Sequence, residues 1–441
     1  MATVEVAVGL AVGDEAVVVV GPVAHGGHFV ARHQGQVVFV RHALPGEQVR
    51  ARVSSLGPGG RFVRADAVEV LTTSPHRVVP PCRYAGPGRC GGCDFQHVSL
   101  AAQRDLKERV IREQFHRLAG LDVDVRVEPV PGDLQGLRWR TRAEFTATAQ
   151  GCPAMRVHHS HDLVEIEDCL LATEGVVASG VFAARYAEGT TVDVVSPGVG
   201  DPVIIAIPEE TPSPIPDVTE RVQARWSSGD GTRHELIHDF AVSARGFWQV
   251  HQGAATSLVE AALSMLDPRR GDTVLDLFSG AGLFTAALAE AVGERGRVVA
   301  VESDPDAAEH ARSNLSAYDN VLTLVGRVDD TLGAARARRR GSAPRRPTRI
   351  AAPNRHPLLP PRADVVLLDP PRTGAGRNVL QGIVALAPRA IGYVACDPAA
   401  LARDAATLAT SGYAMTRLRA FDAFPMTHHV ECIATFTGAA G

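Results

Sequence analysis

With 441 residues, 45% of them hydrophobic and 21% charged, the chain has material for two or three domains, each with its own core. The formal net charge of -4 excludes a polycation, so any nucleic-acid binding must come from local patches. No apolar run approaches the ~18 residues of a membrane span. Met1-Ala2-Thr3-Val4-Glu5 also lacks the basic region of a signal peptide, so a cytoplasmic monomer with no membrane partner is expected.

Residues 1–74 read as all-β. Short runs at 16–20, 29–32, 36–40 and 48–53, punctuated by Gly26-Gly27, Pro45-Gly46 and Gly57-Pro58-Gly59-Gly60, suggest a small barrel. Residues 75–238 form a second region. It begins with Cys82, Cys90 and Cys93, continues with a helix over 99–118, and then alternates strand-like runs with Pro- and Gly-rich turns, read as an antiparallel β insertion. Crowded thiols in a reducing compartment point to metal or cluster ligation. Cys169 is a plausible fourth ligand, and the set could hold zinc or a [4Fe–4S] cluster.

Within this region Arg138, Arg140 and Arg142 alternate, with Trp139 between them. On a strand they would share one face and could track an RNA backbone.

From 239 to 441 the pattern becomes α/β. Strands at 273–278, 297–302, 320–325, 364–369 and 390–396 alternate with helices, and a hairpin follows over 415–421 and 429–436. The fold class is a doubly wound parallel sheet with two added C-terminal strands. Residues 334–362, rich in Ala, Arg and Pro, read as a disordered insertion.

Phe278-Ser279-Gly280-Ala281-Gly282 follows the first strand and opens a helix, where glycines allow close approach of a ligand. The next strand ends at Glu302, placed to accept ribose hydroxyls. A third glycine and a Lys-Ser/Thr pair are missing. The loop therefore suits adenosine without a pyrophosphate, and S-adenosylmethionine is the obvious ligand.

Asp369-Pro370-Pro371-Arg372 ends the fourth strand, with Arg372 where amino-methyltransferases place an aromatic residue. Cys396 ends the fifth strand. A cysteine beside a methyl donor suits a carbon acceptor such as C5 of uracil, which becomes nucleophilic only after a thiolate adds to C6. The helix starting near Pro398 is expected to favour that thiolate. Glu431, in an otherwise apolar strand, is the candidate base, with His428 or His429 as substitutes. Cys432 reads as an inert core cysteine.

Together these motifs resemble the RNA uracil-C5 methyltransferase family, whose members combine a TRAM barrel, an iron–sulfur domain and a class I methyltransferase domain. His25-Gly26-Gly27 with Arg32, and Ala43-Leu44-Pro45-Gly46-Glu47, resemble TRAM motifs. The resemblance implies a [4Fe–4S] cluster on Cys82, Cys90, Cys93 and Cys169. From Phe247-Trp248-Gln249-Val250 it implies a cofactor contact by Gln249.

Phe278, Gly280, Gly282, Glu302 and Asp369 match the cofactor site, Cys396 the nucleophile and Glu431 the base. Asp397, His251 and Leu283 depart from the family pattern, standing where Asn is usual or, at Leu283, present in some members.

The implied product is 5-methyluridine in RNA, with ribosomal RNA expected ahead of transfer RNA. Two other readings compete: a non-catalytic iron–sulfur RNA-binding or sensing protein, and methylation of a base nitrogen. The retained Cys396 and Glu431 speak against the first, and Arg372 and the cysteine against the second.

Overall fold

The computed structural model describes residues 9–207, 215–333 and 355–438. The first five strands are β1 (Glu15–Val19), β2 (Phe29–His33), β3 (Gln36–Arg41), β4 (Gln48–Leu56) and β5 (Phe62–Thr72). They form one sheet in the order β1-β4-β5-β3-β2, curled around Phe29, Val38, Val40, Val49 and Val63. Alternate residues face this core, as half-buried strands require. The longest strand of the barrel, β5, is not among the β-rich runs picked out from the sequence, because two of its three buried positions are the weak strand formers Ala65 and Ala67 and the alternation stops after them.

Next come α1 (Leu100–Ala119), β6 (Val127–Pro129), β7 (Arg142–Ala147), β8 (Pro153–Arg156), β9 (Leu163–Glu165), α2 (Glu174–Ala178), β10 (Thr191–Val195) and β11 (Val203–Ile207). A second sheet runs β11-β10-β7-β8-β9, and all its pairings are antiparallel. The strand β6 does not join it. Val127 to Pro129 pair in parallel with Ala420 to Asp422, at the edge of the large sheet, so the β insertion is not wholly self-contained.

The long hairpin of β12 (Asp217–Ser227) and β13 (Arg233–Ser243) continues past residue 238. It packs on α3 (Ala254–Leu266), which covers one face of the C-terminal sheet. That sheet contains β14 (Thr273–Leu277), β15 (Arg297–Glu302), β16 (Val321–Val325), β17 (Val365–Leu368), β18 (Ala390–Ala395), β19 (Tyr413–Asp422) and β20 (Glu431–Gly438).

Its helices are α4 (Leu283–Val292), α5 (Pro305–Asn314), α6 (Val328–Thr331), α7 (Gly376–Val384) and α8 (Pro398–Thr410). The order is β16-β15-β14-β17-β18-β20-β19-β6, parallel from β16 to β18 and antiparallel at β20. β14, β17 and β18 are nearly continuous apolar runs because helices cover both of their faces.

Helix α1 packs on α8, so the second region is anchored to the C-terminal one. Inside that junction Lys107, 2% exposed, donates to Asp422 at 2.6 Å and to the Phe424 carbonyl at 3.0 Å.

Of the Arg- and Pro-rich stretch, 334–354 lies outside the described residues. Residues 355–362 are tied down, contrary to the expected disorder. Leu359 is buried and the Leu358 carbonyl accepts from Arg297 at 3.1 Å. Among the described residues no helix is long and apolar enough to cross a membrane.

Candidate active site

The carboxyl edge of the parallel strands carries the glycine loop. Phe278 leaves β14 with a left-handed backbone (φ 63°), a strained conformation for an aromatic residue. Gly282 has φ 96°, and a Cβ there would lie 2.9 Å from Leu315, so only glycine fits without displacement.

Glu302, at the end of β15, accepts from the N–H groups of Gly280 (2.9 Å), Ser303 (2.6 Å) and Asp304 (2.8 Å). These bonds hold its carboxylate over the loop. Ser279 Oγ and Asp276 Oδ1 are buried nearby with no partner in the structure.

Asp369 follows β17 at the same edge, its N–H donating to the Leu277 carbonyl. In the β18–β20 ladder Ala395 faces Cys432, and one further step of that register sets Cys396 across from Glu431. Asp369, Arg372, Cys396 and Glu431 line one cleft of about 1550 Å³, together with Gln249, Phe278, Gly280, Glu302 and His429. The cofactor-type loop and the cysteine thus share a cavity. Gly282, expected as a cofactor contact beside Gly280, is not among the lining residues; its N–H closes the loop onto the Ser279 carbonyl.

The electrostatics are acidic. Burial and the neighbouring Asp276 push Asp369 up to about 7. Burial, then Asp369, raises Glu431 well above the usual carboxylate range, against the opposing pull of Arg372. Burial also pushes the Cys396 thiol up to about 11, reinforced by Glu431 and Asp369. The sequence expectation of a favoured thiolate is therefore corrected for the unliganded site. Loss of water, and two carboxyl groups at the ends of the strands on either side of β18, outweigh the start of α8.

His429 is held down to about 3 by burial, His428 and Arg372, which makes it a weak base. His428 is engaged by Asp94 at 2.6 Å. Cys432 is buried within the core, where burial raises its thiol.

Cys82, Cys90, Cys93 and Cys169 are brought together around a separate cavity of about 30 Å³. The donor set and its convergence fit a thiolate-held group. No set of three or more His, Cys, Asp or Glu among the described residues is gathered as a single metal ion would need.

The three arginines do not form a basic strand face. Arg138 has φ 57° and grips Asp168 with both terminal nitrogens, at 2.8 and 2.6 Å. Arg140 donates to the Arg142 carbonyl, and Arg142 pairs with Glu220 at 2.9 Å while donating to the Ala244 carbonyl. Arg138 and Arg142 are thus neutralised inside the fold, whereas Arg140 lines the catalytic cleft.

Residues 237–437 match the family described as tRNA (Uracil-5-)-methyltransferase, and residues 10–68 match the TRAM domain. An uncharacterized RNA methyltransferase of Streptomyces avermitilis is 43% identical, over 97% of this chain and 99% of its own length. A 23S rRNA (uracil(1939)-C(5))-methyltransferase RlmD of Chromohalobacter salexigens is 34% identical, over 94% of this chain and 87% of its own length. The chain belongs to the RNA uracil-C5 methyltransferase family.

The fold of this methyltransferase also resembles the solved tRNA (uracil-54, C5)-methyltransferase of Pyrococcus abyssi. That match has a TM-score of 0.62 at 20% identity, covering 95% of this chain and 99% of the other.

Two features of the methyltransferase escaped the sequence reading. Phe247 is 74% exposed where it lines the cleft, an exposure its motif did not announce. His25, on the barrel loop, bonds Asp397 at 2.9 Å, a contact across 372 residues that no local pattern signals.

Proposed function

We propose that the protein methylates carbon 5 of a uridine in RNA, through a transient bond between Cys396 Sγ and carbon 6 of the uracil. The observation that carries this reading is the shared cleft, where Cys396, Glu431 and Asp369 meet the Gly280–Glu302 cradle. The Glu302 carboxylate suits two ribose hydroxyls, and the glycine loop leaves room for an adenosine. S-adenosylmethionine, bound there, supplies the methyl group.

At rest the thiol carries its proton, since its pKa is about 11, and that proton passes to solvent in the open cleft as Sγ adds to carbon 6. Arg372 is the cation in the cleft that favours the thiolate. Attack on carbon 6 moves the ring electrons toward the carbonyl oxygen at carbon 4, so carbon 5 becomes the nucleophile. After methylation Glu431 removes the carbon 5 proton, the ring double bond re-forms, and Sγ leaves. A carboxylate made strongly basic by burial suits that step. Gln249, Phe278 and Asp369 contact the donor, and Phe247 offers a face for a displaced base.

The thiols of Cys82, Cys90, Cys93 and Cys169 would hold a [4Fe–4S] cluster. There it would cross-link two chain segments at least 76 residues apart, and Gly91 and Gly92, between two of the thiols, line the methyl-transfer cleft.

The barrel supplies an RNA surface, and ribosomal RNA is the preferred substrate because the named relative acts on 23S rRNA. We read the enzyme as a cytoplasmic monomer.

Labelled S-adenosylmethionine incubated with 23S rRNA and tRNA lacking this modification tests the proposal. Label should appear in 5-methyluridine of the rRNA. Label in tRNA alone would move the substrate assignment, and label in neither would remove the catalytic one.

A further inference from the structure

We propose that His25 of the barrel is a positioning residue for the nucleophile, fixing through Asp397 the loop that carries Cys396. Asp397 directly follows Cys396 and does two jobs at once. Its Oδ1 accepts from the Ala400 N–H at 2.7 Å, capping α8, and its Oδ2 bonds His25 Nε2 at 2.9 Å. The cap fixes the backbone leaving Cys396. The second oxygen is then free to report where the barrel stands.

Three further contacts make the barrel part of the site rather than an appendage. The loop from Val23 to Gly27 walls a cavity of about 150 Å³ whose other lining includes Arg372, Cys396 and His429. Gly27, at φ 78°, lies so close that a Cβ would meet His428 Cβ at 2.9 Å. Arg41 of β3 reaches Asp94 at 3.2 Å, and Asp94 bonds His428 at 2.6 Å. Of these contacts, His25–Asp397 alone touches the residue next to the thiol. A barrel seated on its RNA therefore also sets the thiol's angle of approach to the uracil.

The inference rests on Cys396 being the nucleophile, and the experiment separates the two. The rate of covalent complex formation with RNA carrying 5-fluorouridine at the target is measured, with RNA affinity by filter binding and the KM for S-adenosylmethionine. Cys396→Ala should give no complex. His25→Ala should slow complex formation about tenfold, as expected for loss of one orienting hydrogen bond. RNA affinity and KM should stay within about twofold of the parent values. His25→Gln, whose amide nitrogen can donate to the same carboxylate, should recover most of the rate. In an Asp397→Ala background, His25→Ala should add nothing.

A parental rate in His25→Ala overturns the inference, as does a loss of RNA affinity at unchanged rate, which would make His25 a phosphate contact. Additive effects in the double variant also overturn it. A complex that survives Cys396→Ala removes the nucleophile assignment itself.

Discussion

Replacing Lys107 by Met would break the junction between α1 and the end of β19. Met keeps the length of the side chain and removes its charge. Asp422 is fully buried, and its remaining partner is Arg104 at 3.2 Å, while the Phe424 carbonyl loses its bond from Nζ. Removing one partner of a buried ion pair costs ~3–5 kcal/mol. The retained Arg104 places the expected loss near ~3 kcal/mol. For a unit of roughly 200 residues, ~2–4 °C per kcal/mol translates this to a fall in Tm of about 6–12 °C.

Thermal melts of Lys107→Met, Asp422→Leu and the double variant measure it. The double variant should recover most of the loss, since replacing both members of a buried pair by apolar groups is often neutral. A Lys107→Met melt within ~2 °C of the parent would refute the reasoning. So would a double variant less stable than either single one. Because the same lysine holds Phe424, the chain leading to His428, His429 and Glu431 should also become more open to limited proteolysis in Lys107→Met.

Glu431→Gln should lower turnover by ~10²–10⁴ and leave covalent protein–RNA complex on a denaturing gel, because the adduct forms but the carbon 5 proton stays. Loss of the complex along with turnover would argue against a role confined to that proton. With its thiol near 11, Cys396 should alkylate slowly at neutral pH in the free protein, its rate rising about tenfold per pH unit toward pH 10. Peptide mass spectrometry follows it, and a plateau near pH 8 would contradict the acidic environment described. Gly282→Ala should weaken S-adenosylmethionine binding by about tenfold or more, read by calorimetry, since the backbone sits at φ 96° with Leu315 in the way.

The α/β half was legible because its strands are apolar runs ending at residues with evident chemistry. Phe278, Glu302, Asp369 and Cys396 each stand where a parallel strand stops, and the fold carries those ends to one edge. What the sequence hid came from distant neighbours. The sign of the Cys396 shift comes first from burial and then from Glu431 and Asp369, which reach it through a sheet order that local pattern does not specify. The alternation of Arg138, Arg140 and Arg142 suggested a strand, yet Arg138 is left-handed and the partners Asp168 and Glu220 draw in two of the three side chains. Three residues of β6 carried too little periodicity to show which sheet they complete.

The edge strand β6 also orders assembly in time. Glu128 grips Arg419 through two hydrogen bonds across 291 residues, and β6 has no place in the sheet until β19 has been made. As the chain leaves the ribosome, the barrel can form early and take up Ala102 and Leu106 of α1, while Ile111 and Phe115 of that helix, and Val127 of β6, wait uncovered. The last strands synthesised then close the methyl-transfer cleft and cover these waiting faces in the same event. A polypeptide stopped before β19 would therefore present an open sheet edge, a ready target for chaperones and proteases.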